Sequence, residues 1–293
     1  MTVLLHGVGF GLVTASIIAL ASVAFSLQFS VTTTPNFAHG ELLTIGAYGA
    51  LVAQTLTHNI VLEIVAAMLA GAAVASLMNI GVLQPFLRIG SKRLTIFLVT
   101  VAIGLIIQNA LLIFFGGAPS AFQLPYYPLQ HVGPFLWSAL DEAIMLGAVA
   151  VLLALHIVLR YTKFGKSLRA VSDNPQLARV TGINTPRVIQ YTWAIDGLIA
   201  GFAGFVLAAY IGTVTPTLGF SFLVVVFAAS VIGGLGRPYG TMVGALLIGL
   251  AMEVSANYIP AEYKTSVAFA LLILTLLFRP SGIFATQIWK FSE

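Results

Sequence analysis

The chain has 293 residues, is 59% hydrophobic and only 8% charged, contains no cysteine and carries a formal net charge of +4. Soluble domains carry about 25% charged residues, so this composition excludes a soluble globular protein and, with a mean hydropathy of +1.02, describes a polytopic membrane protein. Disulfide and thiol chemistry are excluded, and the few scattered charges give no nucleic-acid-binding face.

Taken in chain order, apolar segments run over about 7–29, 37–57, 60–87, 94–115, 138–159, 188–211, 221–235, 240–258 and 264–278. They are continuous rather than alternating with period two, so they predict membrane helices of roughly 20 residues and not barrel strands. The expected fold is therefore an all-α polytopic membrane bundle of eight or nine transmembrane segments, formed by one domain over 1–293. The opening "MTVLLHGVGFG" lacks the basic region of a signal peptide, so the first run is expected to be structural.

Charge placement predicts orientation. The stretch 160–187 holds Arg160, Lys163, Lys166, Arg169, Arg179 and Arg187, six of the thirteen basic residues, and is expected to be cytoplasmic. Arg88, Lys92, Arg93, Arg279 and Lys290 agree with it and put the C-terminus in the cytoplasm. The loop 116–137, rich in proline and aromatics, has no Lys or Arg and is expected outside. No basic residue precedes Arg88, so the side of the N-terminus stays open, as does the choice between eight and nine crossings.

The stretch "TTTPNFAHGELLTIGAYG" at 32–49 interrupts the apolar pattern with polar residues. Read as a helix start, it has Asn36 as cap and Glu41 near the positive end of the helix dipole. His39 and Glu41 are two apart and point to different sides of a helix, against a two-ligand metal site. Thr32-Thr33-Thr34-Pro35 is echoed by Thr213-Val214-Thr215-Pro216 before a second irregular segment, a faint hint of an inverted repeat that rests on four low-complexity residues.

Acids inside apolar segments cost about 2.5–3.5 kcal/mol each at the bilayer centre on insertion scales. Asp141 and Glu142 start a segment and are expected to be solvated, while Glu63 is expected to reach the interface. Asp196 and Glu253 lie deeper and are expected to be paired inside the bundle. Gly165-Lys166-Ser167 lacks the first glycine of a phosphate-binding loop, since position 160 is Arg160. No nucleophile–base ordering or metal-ligand spacing is present, so no catalytic residue and no metal ligand is assigned, and the chain is not read as an enzyme.

In "SDNPQLARVTGINTPRV", 172–188, Asp173 or Asn174 suits a helix cap, Pro175 the first helical position and Gly182 the residue just past the end. A helix of about two turns is unstable alone in water, so it is expected to dock, either on its own membrane ends or in a groove of a partner. Gly197/Gly201, Gly236/Gly240 and Gly240/Gly244 have the spacing that lets membrane helices approach closely.

"NFAHGELLTIGAYGA" (36–50), "LRAVSDNPQLARVTGIN" (168–184) and "VIGGLGRPYGTMVGALLIGL" (231–250) together resemble the LivH-type permeases of ABC importers for branched-chain amino acids and related polar solutes. The resemblance runs over most of the chain and implies an ABC importer permease fold. It implies pairing with a second, LivM-like permease, two ATPase subunits below and a solute-binding protein above. The solute would be a branched-chain or neutral amino acid; urea, short amides, a sugar or a nucleoside are the alternatives within such importers, and a stand-alone carrier or channel is the alternative class. On this resemblance Asn36, His39 and Glu41 border the translocation path. Asp173, Asn174, Pro175, Ala178, Arg179 and Gly182 contact the ATPase or shape the coupling element, and a bulky or charged replacement of Ala178 is expected to break ATPase association. ATP and Mg belong to the partner subunits, and no cofactor is expected in this chain. The sequence departs from the importer consensus of Glu-Ala-Ala before a glycine, having Gln176-Leu177-Ala178 and then Gly182. A bacterial cytoplasmic membrane location follows from the same resemblance.

Overall fold

The computed structural model describes residues 2–125, 127–279 and 282–283. Lys290, counted above among the cytoplasmic charges, lies outside the described residues. The helices are α1 (Thr2–Thr32), α2 (His39–Thr57), α3 (Ile60–Met78), α4 (Gln84–Arg88), α5 (Arg93–Phe115), α6 (Ala139–Tyr161), α7 (Lys163–Asp173), α8 (Pro175–Val180), α9 (Thr185–Ile211), α10 (Leu218–Gly233), α11 (Pro238–Ser255) and α12 (Lys264–Phe278). Among the described residues, four short strands, β1 (Ser120–Ala121), β2 (Gln130–Val132), β3 (Phe135–Trp137) and β4 (Thr213–Val214), form two small antiparallel pairs, β1 with β4 and β2 with β3. Among the described residues, seven helices are long and apolar enough to cross a membrane, α3 and α4 counting as one. Helix α10 is a shorter apolar helix, and α2 opens on polar residues.

The chain divides into two compact units. The first comprises residues 1–26, 125–149 and 224–293. Its α1 portion is lined by small residues that admit α11 at close range: a Cβ on Gly11 would meet Leu250, and one on Gly249 would meet Ala15. Ser230 donates to the Ser22 carbonyl at 3.3 Å, and Phe25 meets Phe227 edge-on at 4.6 Å. Gly233 faces Gly240, and Gly244 faces Ala229, so the α10–α11 turn closes on glycines, as the spacing of Gly240 and Gly244 predicts.

The second unit comprises residues 27–124 and 150–223 and is built on α2, α3 and α9. Gly71 sits on Gly197, Gly201 on Ala67, Gly46 on Gly201, and Gly204 on the Leu43 carbonyl. At each of these contacts at least one partner is a glycine, so the helices approach to backbone distance and gain close dispersion contacts. By contrast α5 and α6 turn most of their length outward, with Ile113 and Phe114 about four-fifths exposed (80% and 81%). Such apolar exposure is that of a lipid-facing surface.

One helix breaks its pattern. At Asn79–Leu83 the α3 ladder widens to a π turn, with the Gln84 N–H bonding the Asn79 carbonyl five residues back. Between α1 and α2 the chain is irregular over 33–38, and Thr33 takes a left-handed φ of 53°. The two helices that follow the Thr-Thr-Thr-Pro and Thr-Val-Thr-Pro segments, α2 and α10, meet at their first turns, where Gly40 abuts Gly219.

The loop 160–187 is more structured than its composition predicts. The Thr162 hydroxyl caps α7 by accepting from the Gly165 N–H at 3.1 Å, and Arg169 donates back to the Leu159 carbonyl. Leu168 and Val171 bury the apolar face of α7.

Candidate functional site

The first turn of α2 is a polar core. Asn36 does not occupy the cap position itself; its Oδ1 accepts from the Ala38 N–H at 3.0 Å and so closes the turn before the helix. The Phe37 N–H donates to Thr100 Oγ1 of α5 at 3.2 Å, and the Phe37 and Phe97 rings meet edge-on at 4.8 Å. Thr44 Oγ1 accepts from the Gly219 N–H at 3.0 Å, tying α2 to the start of α10. Irregular backbone of this kind is tolerated at membrane depth only where other groups cover it.

His39 and Asp196 are both fully buried, and His39 Nδ1 stands 3.2 Å from Asp196 Oδ1. The pair links α2 to α9. Asp196 is therefore paired inside the bundle, as its depth predicts. Glu41 is also buried (1% exposed), with Gly104 of α5 opposite its Cγ. A Cβ at Gly104 would meet Glu41 Cγ at 3.8 Å and Ala38 Cα at 3.6 Å, so the start of α2 packs closely on α5 there.

Two other acids behave differently from their sequence expectations. Glu63, expected at the interface, is buried and accepts from Gln54 Nε2 at 3.4 Å; Gln54 also exchanges two hydrogen bonds with the Gln123 backbone, at 2.9 and 3.0 Å. Asp141, expected to be solvated, is buried because it serves a cap: its Oδ2 accepts from the Ser138 N–H and hydroxyl at 2.8 Å each, and Ser138 Oγ accepts from the Asp141 N–H. Glu253 meets its expectation of a partner, accepting from Lys264 Nζ at 2.7 Å and Thr14 Oγ1 at 2.9 Å. Among the described residues no three His, Cys, Asp or Glu gather as a metal site would need.

The short α8 is shaped by the residues singled out in sequence. Asn174 Oδ1 accepts from the N–H groups of Gln176 and Leu177 at 3.1 and 2.9 Å, and Pro175 takes the first helical position. Gly182, at φ +87°, ends the helix; the Ile183 N–H reaches the Ala178 carbonyl at 3.0 Å in a Schellman arrangement. Asp173 is the last residue of α7, and Arg179 is exposed, within 3.4 Å of the Thr185 hydroxyl.

Of the two roles open to Ala178, contact or shaping, burial (3% exposed) favours shaping, with its methyl turned into the chain. The apolar surface that α8 offers outward is Leu177 (61% exposed) and Val180 (85% exposed), which sequence reasoning did not single out. The available signal was amphipathicity: they are the large apolar residues of a capped helix too short to be stable alone. Thr100 and Gly104, missed as well, look like ordinary members of an apolar run.

Apolar spanning helices, a polar helix entrance buried among them and a capped amphipathic helix in the basic loop define a multi-pass membrane permease. The chain belongs to the family described as branched-chain amino acid transport system / permease component, whose model matches residues 7–276. It is 32% identical to the high-affinity branched-chain amino acid transport system permease protein LivH of Escherichia coli (strain K12), over 93% of this chain and 92% of the relative. It is 30% identical to the corresponding BraD protein of Pseudomonas aeruginosa, over 93% of each. The ribose import permease RbsC of E. coli is more distant, 23% identical over 89% of this chain and 82% of that protein.

Proposed function

We propose that this chain is the membrane subunit of an ATP-driven importer of branched-chain and other neutral amino acids, forming half of the translocation path. The observation that carries this reading is the near full-length likeness to LivH and BraD, which exceeds that to the ribose permease. A second, LivM-like permease completes the path, a solute-binding protein delivers the solute, and two ATPase subunits hold ATP and Mg. This chain carries no hydrolytic chemistry and no cofactor of its own.

The topology proposed has nine passes in a cytoplasmic membrane, counting α2 and α10, with the N-terminus outside and the C-terminus inside. It is supported by the six basic residues of 160–187 and by the packing of Gly9 against Phe135 and Trp137 of the β2–β3 hairpin, in the loop that lacks Lys and Arg. Asn36, His39 and Glu41 border the path through the start of α2 rather than by binding solute with a free charge, because each is buried.

Coupling runs through α8. ATPase closure moves the helix, and the permease pair opens outward to receive solute; hydrolysis resets it inward. Leu177 and Val180 seat in the ATPase groove, while Asn174, Pro175, Ala178 and Gly182 hold the helix in shape and Asp173 and Arg179 flank it. Leu177→Asp and Val180→Asp are expected to lower ATPase co-purification and vesicle uptake more than tenfold without moving the melting temperature, because both side chains are exposed. Ala178→Asp is expected to lower the melting temperature as well, since a charge would be buried. Uptake of labelled leucine that persists without the ATPase subunits would refute the assignment.

A further inference from the structure

Within the second unit, a cavity with ≈ 20 Å³ of space for water-sized centres lies where two breaks in helical backbone converge. The irregular stretch before α2 contributes Thr34 and Asn36, and the π turn contributes Asn79 and Leu83. Gln28 near the end of α1 and Trp193 on α9 also line it.

Four of these lining residues hold a buried polar atom with no hydrogen-bond partner among the described residues: Gln28 Oε1, Asn36 Nδ2, Asn79 Oδ1 and Trp193 Nε1. Each of the four residues is only 1% exposed. An unmade hydrogen bond of this kind costs roughly 1–3 kcal/mol, and four on one cavity wall are not tolerated without a partner. Asn79 is held in orientation, since its Nδ2 donates to Gln190 Oε1 at 2.6 Å, which leaves its Oδ1 as acceptor.

The set is two acceptors and two donors, all neutral. That complement matches water, which donates two and accepts two hydrogen bonds. A site for water needs about 10–15 Å³ of such space and two to four polar partners, so the volume accommodates one or two molecules and is far too small for an amino acid. Charged ligands lack a counter-charge here, because the lining contains no Lys, Arg, His, Asp or Glu.

We infer that this cavity is a water-binding site, in which one or two ordered waters bridge Gln28, Asn36, Asn79 and Trp193. The waters take the place of direct contacts where helical hydrogen bonding lapses in both segments, the circumstance in which irregular backbone survives at membrane depth. They join the end of α1, the entrance to α2, the π turn and α9 through bonds that can be exchanged without repacking side chains. Trp193 precedes Asp196 by one turn of α9 and Asn36 precedes His39 by three residues, so the water site adjoins the buried His39–Asp196 pair through both segments.

Radiolytic footprinting of the purified chain in nanodiscs tests the inference, because hydroxyl radicals born on bound water modify the side chains beside them. Trp193 is expected to be oxidised at a rate within about tenfold of the exposed Tyr258, although it is 1% exposed against 72%. Asn79→Leu, which fills the cavity and removes one acceptor, is expected to lower Trp193 oxidation at least fivefold. Where that variant does not fold, Gln28→Met, close in shape and lacking the acceptor, is expected to lower it at least twofold. A Trp193 that stays unmodified in the unsubstituted chain overturns the inference, and so does oxidation that is the same in the folded variants.

Discussion

Asp196→Leu is expected to destabilise the protein severely, by about 3–5 kcal/mol, the usual result of removing one member of a buried, mutually paired acid and base. The size follows from burial. His39 and Asp196 are both wholly inaccessible and 3.2 Å apart, so removing the carboxylate leaves an imidazole in a low-dielectric setting without its acid partner. Repulsion or loss of packing is not the main cost, because leucine fills a similar volume. His39→Leu is expected to cost as much, since it strands a carboxylate. The double variant His39→Leu/Asp196→Leu is then expected to lose well under the sum of the two single losses, since an apolar pair in the same place needs no compensating charge. A double-mutant cycle on melting midpoints, followed by size-exclusion profile in detergent, reads this coupling directly. Strictly additive losses would show that the pair does not act as a unit.

The pair also shows why part of the site was legible and part was not. A carboxylate deep in "YTWAIDGLIAG" is costly, so the need for a partner could be read from residue type alone. Which residue answered it could not be read, because His39 lies 157 positions earlier on a different helix and nothing in local periodicity ties them. The same limit applied to Glu63 and Asp141. Their positions near segment ends suggested water, but Gln54 and Ser138 offered hydrogen bonds that made burial the better solution.

The spanning helices were legible for the opposite reason, since length and apolarity are local properties. The sequence segments 94–115, 138–159 and 264–278 lie within one or two residues of α5, α6 and α12 at each end. The caps of α8 were equally local: Asn174, Pro175 and Gly182 occupy the positions their chemistry requires. Which face of α8 turns inward was not local. It depends on how α7 and the foot of α9 hold the helix, and with that Ala178 went in while Leu177 and Val180 went out. The water site was invisible in sequence, because Gln28, Asn36, Asn79 and Trp193 come from four segments and only their meeting leaves them unpaired.

Gly201→Val is expected to abolish folding or cost at least about 3 kcal/mol, at or beyond the upper end of overpacking penalties. A Cβ at Gly201 would fall on the Ala67 carbonyl oxygen of α3, Gly71 rests on Gly201 one turn further along α3, and Gly46 of α2 abuts the Gly201 carbonyl. The obstacle to the new side chain is thus the main chain of α3, which can yield only by moving whole helices. This makes a specific demand on rescue: trimming the neighbour with Ala67→Gly removes a methyl group but leaves the oxygen in place, so the double variant should melt no higher than Gly201→Val alone. Gly81→Ala supplies the contrast, because a Cβ there meets nothing within 4 Å and alanine is the better helix former by about 1 kcal/mol. That variant is expected to melt at or above the unsubstituted protein. Thermal unfolding of the three variants in one detergent separates the two kinds of glycine, and a Gly201→Val protein as stable as Gly81→Ala would mean that α3 and α9 do not cross on bare backbone.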